Sequence, residues 1–284
     1  MGRDVWQASA AARRVFETAD RVLGYSLSSL CFEGPEERLR ETEFTQPAIF
    51  ATSLACLAAA VEGGHVTSRP AFMAGHSLGE YSALVAAGAL SLQEGLQLLG
   101  ERARLMAEAG RSNPGTLAAI LGLDEEAVRS ICAEADADIC NLNQPTQIVV
   151  GGTKQAVDRA IELAKQRGAQ RAVELNVSGA FHSRLMRPAA EGLAKVVAAA
   201  GVLAPQVPVV ANASAKPMTS EAAVRDELCR QVASAVRWHD SVTLVAAAGV
   251  STFIEFGPGR VLTGMVKRLI PGATLINIGG LQPA

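Results

Sequence analysis

The pentapeptide Gly75-His76-Ser77-Leu78-Gly79 sets a serine between two glycines at Gly-X-Ser-X-Gly spacing. A serine hydroxyl attacks a carbonyl only when a base takes its proton and a donor stabilises the resulting oxyanion. At this spacing a strand runs into a helix through a strained turn that lifts the serine clear of the sheet. Gly75 and Gly79 are read as lacking the Cβ atoms that would collide where strand and helix approach. The Leu78 amide, at the helix start, then faces the oxyanion with the helix dipole behind it. The chemistry expected is acyl transfer through an ester on Ser77. With 26 glycines in the chain such spacings also arise by chance, so the flanks decide: apolar Ala71-Phe72-Met73-Ala74 precedes the motif and an alanine-rich helical pattern follows it. The motif alone does not choose between water and a thiol as acyl acceptor.

The base must be one of four histidines, His65, His76, His182 or His239. His76 adjoins the serine, but its side chain should diverge from it. His65 lies in a polar loop. His239, followed by Asp240, could act as the late histidine of a hydrolase or simply sit at a helix end. His182, within Val177-Ser178-Gly179-Ala180-Phe181-His182-Ser183, falls where two structural units rejoin, a common place for ligand clefts. It is favoured over His239 by a modest margin.

Arg102 is the other chemical anomaly. On a wheel of about 100° per residue, Leu92, Leu96, Leu98, Leu99, Ala103, Leu105 and Met106 form one apolar arc, with Glu101, Arg104 and Glu108 opposite. Arg102 falls inside the apolar arc. A guanidinium there cannot shed its charge and needs an anionic or strongly accepting partner. A structural ion pair and a bidentate clamp on a substrate carboxylate are equally open.

The elements that must hold these groups alternate between helix and strand. Ala8 to Leu30 has helical spacing, and Thr45-Gln46-Pro47 opens an apolar helix to about Val61. The stretch from Pro114 to Asn176 has its own rhythm: a strand Thr116 to Leu121, a helix Asp124 to Ala135, strands flanking Pro145, a helix Lys154 to Arg167 and a strand Arg171 to Leu175. That βαββαβ order suggests a ferredoxin-like unit. Beyond it come a helix near Ala189 to Ala200, a strand Val207 to Ala211, a helix Ala222 to Val236 and a strand Thr252 to Phe256; Gly257-Pro258-Gly259 then turns into a last helix. The expected fold class is α/β. An α/β-hydrolase-like parallel-sheet catalytic domain, residues 1–112 and 180–284, is interrupted by a ferredoxin-like subdomain, residues 113–179.

The 284 residues allow a sizeable core. A net charge of −2 with scattered Lys and Arg argues against a nucleic-acid partner. The five cysteines show no CxxC pair and no metal-site or disulfide spacing, which suits a reducing cytoplasm. No secretory leader is apparent at the N-terminus, and no apolar run is read as membrane-spanning. A cytoplasmic monomer is expected.

Thr45-Gln46-Pro47, Gly75 through Ala83, Arg102, Gly179-Ala180-Phe181-His182 and Glu255-Phe256-Gly257-Pro258-Gly259 together resemble the malonyl-CoA:acyl carrier protein transacylase family, including the acyltransferase domains of fatty acid and polyketide synthases. The resemblance spans essentially the whole chain. It implies that Ser77 is acylated, that His182 is the base, and that Arg102 pairs with the free carboxylate of malonate. It further implies that the Gln231 backbone carbonyl orients the histidine, that His76, Gln46 and Met106 line the acyl site, and that Arg171 meets the CoA phosphates. Phe181 before the histidine resembles the malonyl-selective pattern; rejecting one methyl group is worth about 1–3 kcal/mol. Malonyl-CoA and the phosphopantetheine arm of acyl carrier protein are the implied substrates, with no metal or redox cofactor.

One departure is expected to matter. Family members begin with a strand and a Gly-Gln-Gly-Ser-Gln loop that supplies a second oxyanion donor, and this chain starts just past that point. Either the start is assigned late or the chain is truncated and slowed, since one lost donor costs about 10²–10³ in rate. The rival readings are a serine hydrolase using Ser77 and His239, and a weakly active module that docks carrier protein.

Overall fold

The computed structural model describes residues 1–280. Its N-terminal third is helical. The stretch read as one helix from Ala8 to Leu30 is three: Arg3–Ala8, Ala10–Leu23 and Leu27–Glu33. Ser9 breaks it by capping the second helix, its Oγ accepting from the Ala12 N–H at 3.0 Å, and Gly24 ends that helix in the left-handed region at φ 75°. The next helix, Thr42–Glu62, starts ahead of the expected point and carries Pro47 in its interior. By length and composition it is apolar enough to cross a membrane, which the reading of the sequence had missed because Thr, Gln and Ser interrupt the run; 56% of that window is buried within the protein.

Parallel pairing is present but short. Met73 forms a single parallel bridge to Val209: its N–H donates to the Pro208 carbonyl at 2.9 Å, and its carbonyl accepts from Val210 at 2.9 Å. Pro208 has no N–H with which to extend that ladder. Val209–Val210 pairs antiparallel with Pro217–Met218. Thr252–Phe256, found at its expected limits, pairs in parallel with Thr274–Ile278, a strand the sequence reading had missed. Helices cover these strands around a main apolar core that includes Phe16, Leu27, Phe50, Tyr81, Leu84, Leu96, Leu99, Leu193 and Val209, while Phe253 and Leu275 pack on a second cluster of Trp238, Val242, Met265 and Val266.

Between residues 116 and 174 the chain builds a four-stranded antiparallel sheet. The strands are Thr116–Leu121, Asp138–Gln144, Gln147–Gly152 and Arg171–Glu174, arranged in the order second, third, first, fourth. With helices Glu125–Ala135 and Lys154–Gln166, this is the ferredoxin-like arrangement. Ile120, Val128, Ile131, Ile148, Val157 and Leu163 close its own core. Leu117, Cys140 and Val149 gather instead against Ala180 and Leu185 of the returning chain. Arg184 fastens the same contact by donating from Nε to Asp138 at 3.0 Å and from Nη1 to Asp136 at 2.6 Å.

Candidate active site

Ser77 stands at the elbow with φ 53°, a left-handed backbone that costs a non-glycine residue on the order of 1–3 kcal/mol. The helix Gly79–Ala86 follows at once. A Cβ on Gly75 would lie 2.0 Å from the Gly79 carbonyl carbon and oxygen, so Gly75 has no substitute. The expectation for Gly79 is corrected: a Cβ there would meet nothing within 4 Å, because it points away from the crossing that Gly75 occupies. The Leu78 N–H has no hydrogen-bond partner among the described residues and is free to receive an oxyanion.

His182 meets the serine from the returning chain. It too has a left-handed backbone, φ 65°, in the segment pinned by Ala180 and Arg184. Its Nδ1 lies 3.0 Å from the Gln231 carbonyl and 3.1 Å from that of Ser234. Carbonyls only accept, so Nδ1 carries the proton and Nε2 is left with a lone pair. The Ser77 hydroxyl donates to that Nε2 at 2.7 Å. Burial, reinforced by the Arg102 charge, holds the His182 pKa down to about 3, so the resting ring is neutral and its Nε2 lone pair is available to the Ser77 proton.

Arg102 reaches the same oxygen from the helix Leu92–Ser112, which Ser91 and Glu94 start with a reciprocal capping box. Its side chain is fully buried, with 1% exposure for the residue. Nη2 donates to Ser77 Oγ at 2.9 Å and to Gln231 Oε1 at 3.1 Å, Nη1 donates to Gln46 Oε1, and the guanidinium carbon lies 5.5 Å from the Tyr81 ring centre. Among the described residues no carboxylate forms an ion pair with it, and Nε has no partner. Glu80 is the acid that attracts it electrostatically, but that carboxyl is buried beside Glu227 and its pKa is pushed well up. The ion-pair explanation for Arg102 is therefore set aside.

The Ser77 oxygen is thus shared by a neutral histidine and a buried arginine. Residues 1–275 match the acyl transferase domain family. The chain belongs to that family. It is 46% identical over 274 residues to the malonyl CoA-acyl carrier protein transacylase of Bacillus subtilis, a match covering 95% of this chain and 86% of that protein. An acyl carrier protein S-malonyltransferase from Vibrio cholerae superposes with a TM-score of 0.95 at 40% identity, covering 99% of this chain and 92% of that one. A malonyl-transacylase solved in complex with its type II polyketide synthase acyl-carrier protein gives 0.94 at 40% identity, covering 99% and 91%.

Other expected residues of this acyl transferase divide into near and far. Gln46 is buried on the helix Thr42–Glu62, with its Nε2 3.5 Å from Met106 Sδ, so both border the Arg102 side of the site. Phe181 is half-buried against the main core, where a Cβ on Gly179 would approach its ring to 3.3 Å. His76 turns from the serine, as expected: its Nε2 lies 2.9 Å from Asn143 Oδ1 of the inserted sheet, and its ring is 5.7 Å from that of Trp238. Gln231 does more than its backbone was expected to do, since its side chain also donates to the Ser77 carbonyl at 2.8 Å. Arg171 is exposed on the edge strand Arg171–Glu174 and shares no hydrogen bond or ion pair with the Ser77 group. His239 pairs with Asp240 at 3.3 Å and His65 is exposed; neither touches Ser77, and the Ser77/His239 pairing is excluded by that geometry.

Ser234, Asn143 and Asn212 were missed. Backbone acceptors such as Ser234 leave no trace in residue type. Asn212 did leave one: it is a polar residue directly after the apolar run Val207 to Ala211, at the carboxyl end of a strand, where α/β sheets place ligand sites.

Proposed function

We propose that this chain moves a malonyl group from malonyl-CoA to the phosphopantetheine thiol of acyl carrier protein, in fatty acid or polyketide synthesis, by a ping-pong route through a Ser77 ester. The observation that carries this reading is Arg102, a buried guanidinium that donates to the nucleophile's own oxygen and has no ion-paired carboxylate among the described residues. A malonyl carboxylate supplies the missing anion and accepts charge-assisted hydrogen bonds from the buried guanidinium.

His182 Nε2 takes the Ser77 proton as Oγ attacks the thioester carbonyl, and the Leu78 N–H receives the oxyanion. Collapse breaks the C–S bond, and CoA leaves with the proton that His182 returns. The carrier thiol then loses its proton to His182 and attacks the malonyl ester. A new C–S bond forms, the C–Oγ bond breaks, and Ser77 regains its proton. The histidine needs no carboxylate because two carbonyls hold its Nδ1–H, so the resting pair is neutral.

The reading calls on no metal or redox cofactor. Its proposed setting is the cytoplasm: all five cysteines are free and four are buried, and desolvation pushes the Cys31 and Cys56 thiols up to about 11. The test is intact-protein mass spectrometry after brief mixing with malonyl-CoA. A malonyl adduct is expected on Ser77 and should transfer to added holo carrier protein; an adduct that persists in Ser77→Ala would refute the assignment.

A further inference from the structure

We propose that Asn212 is the positioning residue of the nucleophile elbow, gripping the backbone on either side of His76 and so holding Ser77 Oγ between His182 and Arg102. This rests on the reading of Ser77 as the acylated residue. Asn212 is 1% exposed and lies just past the strand Val209–Val210, more than a hundred residues from the elbow. Its side-chain Oδ1 accepts from the Ser77 N–H at 2.7 Å, and its Nδ2 donates to the Gly75 carbonyl at 2.8 Å. The amide orientation is set by these partners, since a backbone N–H only donates and a carbonyl only accepts.

The backbone of Asn212 is held just as firmly. Its N–H donates to Glu80 Oε2 at 2.7 Å, and its carbonyl accepts from the Arg237 N–H at 2.8 Å. Glu80 is fully buried and belongs to the helix that the elbow begins, so the grip closes on itself: elbow to Asn212, Asn212 to Glu80, Glu80 back to the elbow helix. From the other side Gln231 Nε2 donates to the Ser77 carbonyl at 2.8 Å. Both peptide groups of a left-handed serine are thus held by side chains from beyond the inserted unit, which offsets the local strain.

Few side chains fit this role. The grip needs an acceptor and a donor fixed in one plane at a reach that spans residue 77 and residue 75. Aspartate keeps the acceptor and loses the donor, setting two oxygens against each other at Gly75; leucine keeps the approximate shape and loses both. Asn212 makes no hydrogen bond to the Ser77 hydroxyl, to His182 or to Arg102 among the described residues, so its influence on the chemistry passes through backbone geometry. A displacement of about 1 Å at a reacting atom can cost roughly 10²-fold in rate.

Asn212→Leu and Asn212→Asp, compared with wild type in single-turnover acylation by malonyl-CoA and normalised to correctly folded protein, test this. The expected result is a fall in the acylation rate of roughly 10²-fold for leucine and a smaller fall for aspartate, with KM for malonyl-CoA changed by less than about threefold. A folded variant of either kind that acylates at the wild-type rate overturns the proposal. So does a loss confined to KM. If neither variant folds, Asn212 serves the fold rather than the elbow, and the proposal also fails. An adduct that survives in Ser77→Ala would instead sink the acyl-serine reading beneath it.

Discussion

The inserted sheet and the unit that surrounds it solve opposite problems. In the inserted sheet, Thr116–Leu121 pairs with Gln147–Gly152 through six consecutive residues, beside a core of Ile120, Val128, Ile131, Ile148 and Val157 that buries no charged side chain. The surrounding unit buries Glu80, Arg102, His182, Asn212, Glu227 and Gln231 at no more than 5% exposure, and holds two of its site residues in left-handed backbone. The first spends its sequence on a regular ladder. The second carries the cost of desolvated charge and strain, offset in part by the hydrogen bonds that Asn212, Gln231 and Gln46 make around the site. Where the two touch, the inserted unit is also polar: Asn143 meets His76, and Leu142 donates to the Val236 carbonyl at 2.8 Å. Ser77, Arg102, His182 and Gln231 thus all sit on one unit, and the other meets it beside His76.

That contrast breaks most sharply at His182. His182→Ala should lower acylation by about 10²–10⁴-fold with little change in thermal stability; retention of most activity would return the base assignment to open. The converse perturbation is Ile120→Ala, fully buried in the inserted core. It should cost about 2–5 kcal/mol in denaturant unfolding and leave the acylation rate per folded molecule unchanged. A rate loss matching the stability loss would dissolve the division between the two units.

Arg102→Ala should lose about 10–100-fold in acylation by malonyl-CoA, the scale of one or two charge-assisted bonds, but far less with acetyl-CoA. Equal losses with both donors would leave the arginine a structural role only. Phe181→Ser should raise methylmalonyl acceptance relative to malonyl by about tenfold or more, the scale of one crowded methyl group; unchanged discrimination would remove Phe181 from selectivity.

The smallest effect is in pH. Because burial and Arg102 hold His182 to about 3, the ring stays neutral as pH falls through 6.5, and the acid limb of kcat/KM should lie below pH 6. The same depression gives the fold a stability contribution that is present above the unfolded value near 6.5 and is lost as pH falls toward the folded one. Arg102→Ala removes one of the lowering influences and should move the limb upward. A limb at or above 6.5 in the wild type would contradict the buried, neutral base.

Legibility in the sequence follows the same division. The sequence pattern places Thr116 to Leu121 at its observed limits and the two helices and last strand of the inserted unit to within a residue, and puts two strands around Pro145 without limits, because Gly, Pro, Asp and Thr punctuate this stretch and it keeps its own hydrophobic period. In the outer unit, Ala71 to Ala74 reduces to a bridge at Met73, and Thr274–Ile278 escaped notice. Distant neighbours rather than local pattern define both: Met73 is a strand only through Val209, and Thr274–Ile278 only through Thr252–Phe256. Gly-X-Ser-X-Gly and the apolar setting of Arg102 were visible because each departs from a local rule.

Residue type and spacing were enough for the elbow, the arginine placed on an apolar helix face, and the family to which both point. Folding added the contacts that seat His182 between Ser77 and two carbonyls, the freedom of Arg102 from a carboxylate partner, and the side-chain grips of Asn212 and Gln231. Those are relations between segments up to about 150 residues apart. No periodicity encodes them, because a hydrogen bond between such segments depends on where the intervening sheet brings the chain back.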